Sequence, residues 1–146
     1  NCIEAVEEYF KTKQRGHISI VSSVAGYRGL PSVSGYGASK AALINFTESL
    51  YLMMYKYNVK VSLINPGFIK TPMTDKNDFN MPFLTMPNKA ADIIFKDLTK
   101  GKKFEIAFPK FFVSLLKLLR IVPYKIYFLF MIKKIMYKVM YKKKEQ

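Results

Sequence analysis

Residues 22–40 read SSVAGYRGLPSVSGYGASK, and this stretch joins a predicted strand to a predicted helix. The strand is the β-branched run His17–Val21 just before it. The helix is an apolar pattern of helical period that extends from about Ser34 to Tyr57. Glycine and proline interrupt the region between them, which predicts a loop containing Gly26, Gly29, Pro31 and Gly35. A strand that passes through a loop into a long helix is the building unit of a parallel α/β sheet.

The same stretch carries a candidate acid–base pair. Tyr36 and Lys40 are four residues apart, so their side chains leave one face of the helix one turn apart. An ammonium group at that distance favours the phenolate form of a tyrosine, which makes Tyr36 a candidate general acid or base. Ser22 and Ser23 follow the strand, and open α/β sheets bind ligands at the carboxyl ends of their strands. A serine there can hydrogen-bond the reacting oxygen, although a tyrosine and a lysine at this spacing also occur by chance on many helices.

Helical and β-branched segments alternate along the chain. The predicted strands are His17–Val21, Val59–Ile64 and Phe104–Phe108, and the predicted helices cover residues 1–13, 34–57 and 88–100. The side chains of the last helix that are expected to face inward are Ala91, Ile94, Phe95 and Leu98. Such alternation implies parallel strands joined by right-handed crossovers, which is a doubly wound α/β sheet.

The stretch resembles the active-site segment of the short-chain dehydrogenase/reductase family. The match consists of Ser23, the run Tyr36–Leu43 (YGASKAAL) and the thirteen-residue step from Ser23 to Tyr36. Further along, Asn65–Pro72 (NPGFIKTP) matches the family's PGxxxT landmark, which follows the next strand. The resemblance extends over about residues 1–108.

The resemblance implies a Rossmann-like fold and hydride transfer between NAD or NADP and a carbonyl or secondary alcohol. It implies that Tyr36 exchanges the hydroxyl proton, that Lys40 supports Tyr36 and binds the nicotinamide ribose, and that Ser23 positions the substrate oxygen. The cofactor-binding residues that it implies are Tyr36, Lys40, Pro66, Gly67, Ile69 and Thr71. Among these, Ile69 offers backbone groups to the carboxamide and Thr71 offers a hydroxyl. The resemblance also implies a homo-oligomer with the long helix at its interface.

A glycine-rich phosphate-binding turn, which opens dinucleotide-binding folds, is missing from the 146 residues. Neither GxGxxG nor TGxxxGxG occurs, and the family's Asn-Asn-Ala-Gly segment and its catalytic asparagine would precede Asn1. We therefore expect residues 1–109 to be the C-terminal half of a Rossmann-like domain, inactive by itself. The alternatives are a non-catalytic binding or scaffold fragment with the same fold, and a membrane-surface interaction module whose function resides in residues 110–144.

Residues 71–87 lack a clear period. They are polar with scattered large apolar side chains, which are Met73, Phe79, Met81, Phe83 and Met86. This composition suits a mobile lid over a substrate, since loops on a rigid scaffold often serve that way. A surface loop anchored by a few apolar residues fits the composition equally well.

Residues 110–146 form a basic tail. From Lys102 to the end there are twelve Lys and Arg against two Glu, a net charge of +10 out of +14 for the chain. Two helical stretches rich in Phe, Leu and Tyr flank Pro123, and no uncharged run approaches the ~18–20 residues that span a bilayer. Basic amphipathic helices of this kind predict binding at a membrane surface, and with it a lipid-like substrate.

Other interpretations of the tail stay open. It can pack on the core or in an oligomer, or form a short transmembrane hairpin, whereas its apolar face argues against nucleic acid as a partner. The single cysteine, Cys2, fits a reducing compartment, so we expect a cytoplasmic protein that is peripheral at the membrane surface. The sequence has one histidine and no cluster of His, Cys and acidic residues, so it predicts no metal site.

Overall fold

The computed structural model describes residues 2–31, 33–72, 74–76, 81–101 and 103–142. Its helices and strands are α1 (Cys2–Lys13), β1 (Gly16–Val21), α2 (Ser34–Tyr55), β2 (Val59–Pro66), α3 (Pro87–Lys100), β3 (Glu105–Phe108), α4 (Lys110–Ile121) and α5 (Tyr124–Lys142). Two 3₁₀ turns lie at Val24–Gly26 and Thr74–Lys76. Met73 and Phe79 of the predicted lid, and residues 143–146 of the predicted tail, lie outside the described residues.

The three strands form one parallel sheet in the order β1-β2-β3. Ile18 of β1 lies opposite Val61 of β2, and Leu63 of β2 lies opposite Glu105 of β3. β2 is the central strand, and its apolar side chains, which are Val59, Val61, Leu63 and Ile64, are all buried. Parallel strands joined by helices confirm the predicted Rossmann-like α/β architecture. The prediction of right-handed crossovers was wrong for one of the two connections, because the strands lie side by side in chain order whereas α2 and α3 pack on opposite faces.

Helices cover both faces of the sheet. On one face, Ile44 of α2 and Val113 of α4 pack with Leu63. The next residue of β2, Ile64, points to the other face, where Ala90 of α3 packs against it. Helix α4 therefore contributes to the folded core, and the domain boundary between residues 109 and 110 stays a prediction.

The inward face of α3 differs from the expected one. Ala90, Ile94 and Leu98 pack on the sheet, whereas Phe95 is 71% exposed and Ala91 is exposed as well. The three packed residues follow one helical face at four-residue spacing. Their C-terminal neighbours lie about 100° further round the helix, because an α-helix has ~3.6 residues per turn. The inward placement of Ala91 and Phe95 was therefore wrong, and that of Ile94 and Leu98 is confirmed.

No helix within the described ranges is both long and apolar enough to cross a bilayer. Across the same part of the chain, His, Cys, Asp and Glu side chains do not gather in a group of three or more that could hold a metal ion. The histidine, His17, lies in β1 with its Nε2 2.8 Å from Ser62 Oγ. Burial and the nearby Lys60 charge lower the pKa of His17.

Candidate functional site

The carboxyl end of β1 leads into two serines with different partners. Ser22 donates its Oγ–H to Lys40 O at 2.7 Å, which fastens the strand end to α2. Ser23 Oγ accepts the Ala25 N–H at 3.2 Å and donates to Pro66 O at 3.4 Å. The 3.4 Å contact is long for an O–H···O hydrogen bond, so it is weak and easily exchanged. Of the two hydroxyls, the Ser23 hydroxyl is the one that can turn to a ligand.

Two glycines let the turn after Ser23 press against α2. A Cβ added to Gly26 would lie 2.7 Å from the carbonyl carbon of Lys40, a distance that backbone atoms cannot tolerate. A Cβ added to Gly37, in the first turn of α2, would lie 3.2 Å from Ala25 O. Glycine permits this close backbone approach because it has no Cβ. The 3₁₀ turn and the start of α2 are thereby held side by side.

Lys40 reaches from α2 to the end of β1. Its Nζ donates to Val21 O at 3.3 Å and lies 5.6 Å from the centre of the Tyr36 ring. Tyr36 is 50% exposed and lies one helical turn before Lys40. An exposed phenol beside an ammonium group is the arrangement that acid–base chemistry at this position needs. The structure brings Ser23, Tyr36 and Lys40 to the same end of the sheet, and their catalytic roles stay predictions.

The loop that follows β2 starts at Gly67 and runs close to the end of β3. The Gly67 N–H donates to Phe108 O at 2.8 Å. A Cβ at Gly67 would lie 3.1 Å from Pro109 Cδ and 3.3 Å from Phe112 Cδ1, so a larger residue would push the loop away from α4. Gly67 thus keeps the loop in contact with the ends of both β3 and α4.

Ile69 forms an isolated parallel bridge with Thr85. The bridge consists of Lys70 N–H to Thr85 O at 3.0 Å and Thr85 N–H to Phe68 O at 2.8 Å. In a parallel bridge of this kind, the N–H and C=O of Ile69 itself point away from Thr85. The Ile69 C=O accepts a hydrogen bond from the Thr74 hydroxyl, with 2.7 Å between the two oxygens. The backbone of Ile69 is therefore directed to the side of the loop opposite Thr85.

Thr71 lies just before the second 3₁₀ turn and is hydrogen-bonded to its first two residues. Its N–H donates to Thr74 Oγ1 at 2.8 Å, and its C=O accepts the Asp75 N–H at 3.0 Å. The Thr71 hydroxyl lies 3.3 Å from both the nitrogen and the Oγ1 of Thr74. The predicted cofactor residues of this loop, which are Pro66, Gly67, Ile69 and Thr71, follow one another from the carboxyl end of β2. Pro66 joins them to Ser23.

A polar network next to the candidate site is centred on Glu105, and none of its residues is among the predicted site residues. The Glu105 carboxylate accepts Tyr27 OH at 2.5 Å and Asn65 Nδ2 at 2.8 Å, and it forms an ion pair with Lys117. Burial would raise the pKa of Glu105, but the hydrogen bonds from Lys117, Tyr27 and Asn65 outweigh it and hold that pKa below its usual value. For Tyr27, burial and then the bond to Glu105 raise the pKa. The available signal was Glu105 itself, an acid in the apolar strand FEIAF that needs donors once buried.

An aromatic cluster (Phe68, Phe83, Phe111 and Phe112) lies beside the Gly67 loop. Phe68 stacks on Phe112 with 5.9 Å between ring centres. Phe83 contacts Phe111 at 5.5 Å and Phe112 at 6.1 Å. The segment predicted as a lid or a surface loop therefore meets α4 at the edge of the candidate site.

The parallel sheet with helices on both faces, and the loops gathered at the carboxyl ends of β1 and β2, define a Rossmann-like α/β protein. Residues 1–81 match the family described as short chain dehydrogenase, and the chain belongs to that family.

An uncharacterized oxidoreductase of Myxococcus xanthus is 40% identical over 107 residues, which are 73% of this chain and 42% of the relative. A short chain dehydrogenase of Burkholderia cenocepacia, solved in complex with NADP, has a TM-score of 0.69 and 25% identity over 82% of this chain and 48% of its own. A 3-oxoacyl-[acyl-carrier protein] reductase of Brucella melitensis with bound NAD has a TM-score of 0.59 and 30% identity over 73% and 45% of the two chains. The chain thus spans less than half the length of these proteins, and they confirm the predicted family and fold.

Proposed function

We propose that the whole protein is an NAD(P)-dependent oxidoreductase that interconverts a carbonyl group and a secondary alcohol. The observation that carries this proposal is the position of Lys40, whose Nζ contacts the last residue of β1 and stays 5.6 Å from the Tyr36 ring. A phenol, an ammonium group and the Ser23 hydroxyl near the strand ends support the proposal, because open α/β sheets bind ligands there. Relatives solved with NADP and with NAD support the cofactor class.

The residues of this chain fit the nicotinamide end of such a cofactor. They offer the Lys40 ammonium, the Tyr36 phenol, the Thr71 hydroxyl and the outward backbone groups of Ile69, a donor set suited to ribose hydroxyls and a carboxamide. We assign this end to Tyr36, Lys40, Pro66, Gly67, Ile69 and Thr71. When bound, the nicotinamide supplies or accepts the hydride. No glycine-rich turn for the pyrophosphate occurs in the 146 residues.

Tyr36 moves the proton at the substrate oxygen. In reduction its O–H donates to the oxygen of the former carbonyl, and in oxidation its phenolate accepts the proton of the alcohol. Lys40 supports this exchange from the same helical face, with its ammonium group 5.6 Å from the centre of the Tyr36 ring. Ser23 orients the same oxygen by exchanging its 3.4 Å hydrogen bond to Pro66 O for one to the substrate.

The substrate carbonyl is attached to an apolar, lipid-like molecule. The aromatic cluster borders the Gly67 loop, and two of its rings stay accessible, with Phe83 49% and Phe111 69% exposed. Exposed rings that already contact one another provide an apolar wall for a ligand. The Brucella relative is a 3-oxoacyl-[acyl-carrier protein] reductase, and an acyl chain is an apolar, lipid-like group of the kind proposed here.

The test of the acid–base assignment is the consumption of NADH or NADPH by the full-length protein that carries this sequence. Tyr36→Phe is expected to lower kcat by about 10²–10⁴-fold with a long-chain 3-oxoacyl thioester, because it removes the exchangeable proton. Tyr55→Phe, which changes an exposed tyrosine of the same helix, is the matched control and should leave kcat unchanged. A Tyr36→Phe variant at the wild-type rate would show that Tyr36 is not the acid. A wild-type protein inactive with both coenzymes would favour the scaffold alternative.

The substrate class has its own test. Phe83→Ser is expected to lower kcat/KM for the long-chain thioester by about tenfold or more, because it removes a large apolar contact. The same change should leave kcat/KM for a short-chain 3-oxoacyl thioester unaltered. Equal losses with the two substrates would refute the apolar assignment and leave the acid–base assignment standing.

A further inference from the structure

The outer sides of α4 and α5 carry the tail surface, by which we mean the exposed side chains of residues 110–134. Large apolar side chains on it include Leu118, Ile121, Leu129 and Phe130, which are between 56% and 77% exposed. Apolar groups exposed in such number on a soluble protein generally mark an interaction site. We therefore expect the tail surface to bind a partner.

The side of α4 opposite the tail surface packs in the core of the protein. Val113 and Leu116 are buried in the core cluster. Phe111, Leu115 and Leu118 follow one another at i, i+4 and i+7, so they form a second apolar stripe on the exposed part of the helix. Because the core occupies the first stripe, only the second is free for an outside partner.

The Arg28 side chain fixes the start of α5 against the body of the protein. Its guanidinium donates to Arg120 O at 3.0 Å and to Val122 O at 3.2 Å, at the end of α4. The same group lies over the rings of Tyr124 and Tyr127, 4.3 and 4.5 Å from their centres. Tyr127, which is 4% exposed, also donates its O–H to Gly29 O in the loop between β1 and α2. These contacts decide which side chains of α5 point outward.

The tail surface is positively charged, and this charge indicates which kind of partner it binds. The sequence from Lys110 to Lys142 contains no Asp or Glu, and Lys125, Lys133 and Lys134 are exposed. A second copy of the chain would bring the same positive surface against it, which like charges disfavour. Nucleic acid would match the charge but would not cover the apolar side chains. A bilayer with anionic headgroups matches both properties.

We propose that the tail surface binds flat in the interface of an anionic phospholipid bilayer. The apolar side chains enter the boundary of the acyl chains, and the lysine stems carry their amines to the lipid phosphates. This inference does not depend on the oxidoreductase activity. It does bring Phe111, which belongs to the aromatic cluster, next to the acyl chains.

Co-sedimentation of the full-length protein with vesicles of phosphatidylcholine, with and without phosphatidylserine, tests the proposal. We expect binding to the vesicles that contain phosphatidylserine, and weaker binding at high salt because ions screen the attraction. Lys133→Gln with Lys134→Gln should reduce partitioning about fivefold per lysine. The matched control pair on α3, Lys89→Gln with Lys96→Gln, changes two exposed lysines outside the tail surface and should have no effect.

A second pair of variants tests the apolar part. Leu129→Ser with Phe130→Ser should reduce partitioning about tenfold or more. Ala91→Ser with Phe95→Ser is the control, since both residues are exposed on α3, outside the tail surface. Failure to bind phosphatidylserine vesicles, or control pairs that reduce binding as much as the test pairs, would overturn the proposal. Dissociation of a dimer by Leu129→Ser with Phe130→Ser, without a change in vesicle binding, would also overturn it. So would a result in which only the lysine substitutions reduce vesicle binding and DNA displaces the vesicles.

Discussion

Gly26→Ala is expected to separate the turn after Ser23 from α2. A Cβ at this position would lie 2.7 Å from the carbonyl carbon of Lys40 and 2.8 Å from the Ala41 nitrogen, whereas ordinary van der Waals contact begins at 3.4 Å. Both atoms belong to the backbone of a helix, so neither can rotate out of the way as a side chain can. The turn or the helix must therefore move by about 0.7 Å, which is the difference between these distances.

Overpacking of this kind costs about 1–3 kcal/mol of unfolding free energy. With a urea m-value of about 1–3 kcal/mol/M, the midpoint of denaturation should fall by about 1 M. Circular dichroism during urea titration measures it. Gly29→Ala is the control in the same loop, because a Cβ there meets nothing within 4 Å, and it should change the unfolding free energy by about 0.5 kcal/mol at most. Equal midpoints for the two variants would refute the close-approach argument.

Two further predictions concern contacts that tie the site to α4 and α5. Glu105→Gln is expected to cost about 1–3 kcal/mol at neutral pH, because three donors lose a charged acceptor. The folded-state pKa of Glu105 lies below the usual 4.5, so its stabilising contribution is present above that pH and is lost as the pH falls through the folded pKa. Urea titrations at neutral and acid pH should therefore show that the difference in unfolding free energy between the variant and the wild type disappears in acid. A difference that does not depend on pH would contradict the assignment. Arg28→Ala should increase amide hydrogen exchange in α5 while β2 keeps its rates, and Arg28→Lys should rescue it only in part, because lysine lacks the planar fork. Exchange that rises equally in β2 would mean that Arg28 supports the whole fold rather than α5.

The helices and strands could be predicted because each segment carries its own period. The β-branched run from Val59 and the apolar helical pattern after Tyr36 are local features, and local features decide secondary structure before distant contacts form. The spacing of Tyr36 and Lys40 is equally local, since four residues on a helix set the relative direction of two side chains. The structure accordingly places these two residues as the spacing predicts.

Contacts between distant segments could not be predicted in the same way. The donors to Glu105 lie as far as 78 residues away along the chain, and a sequence without partners or distances does not indicate which segments meet. Helix α4 shows the same limit, because it has two apolar stripes and only the fold decides that Val113 is buried and Leu118 exposed. For α3, apolar residues on adjacent faces made Phe95 as plausible an inward residue as Ile94.

The Glu105 carboxylate links the candidate site to the tail. Tyr27 directly follows the 3₁₀ turn that begins after Ser23, Asn65 precedes Pro66, and Lys117 belongs to α4. One acceptor therefore fixes three segments relative to one another. Desolvation offsets much of the attraction within such a partly buried ion pair, so its contribution lies in position more than in stability. It follows that the loops bearing Ser23 and Pro66 share a support with the tail surface. A bilayer that holds α4 would then hold the mouth of the site at a fixed height above the acyl chains.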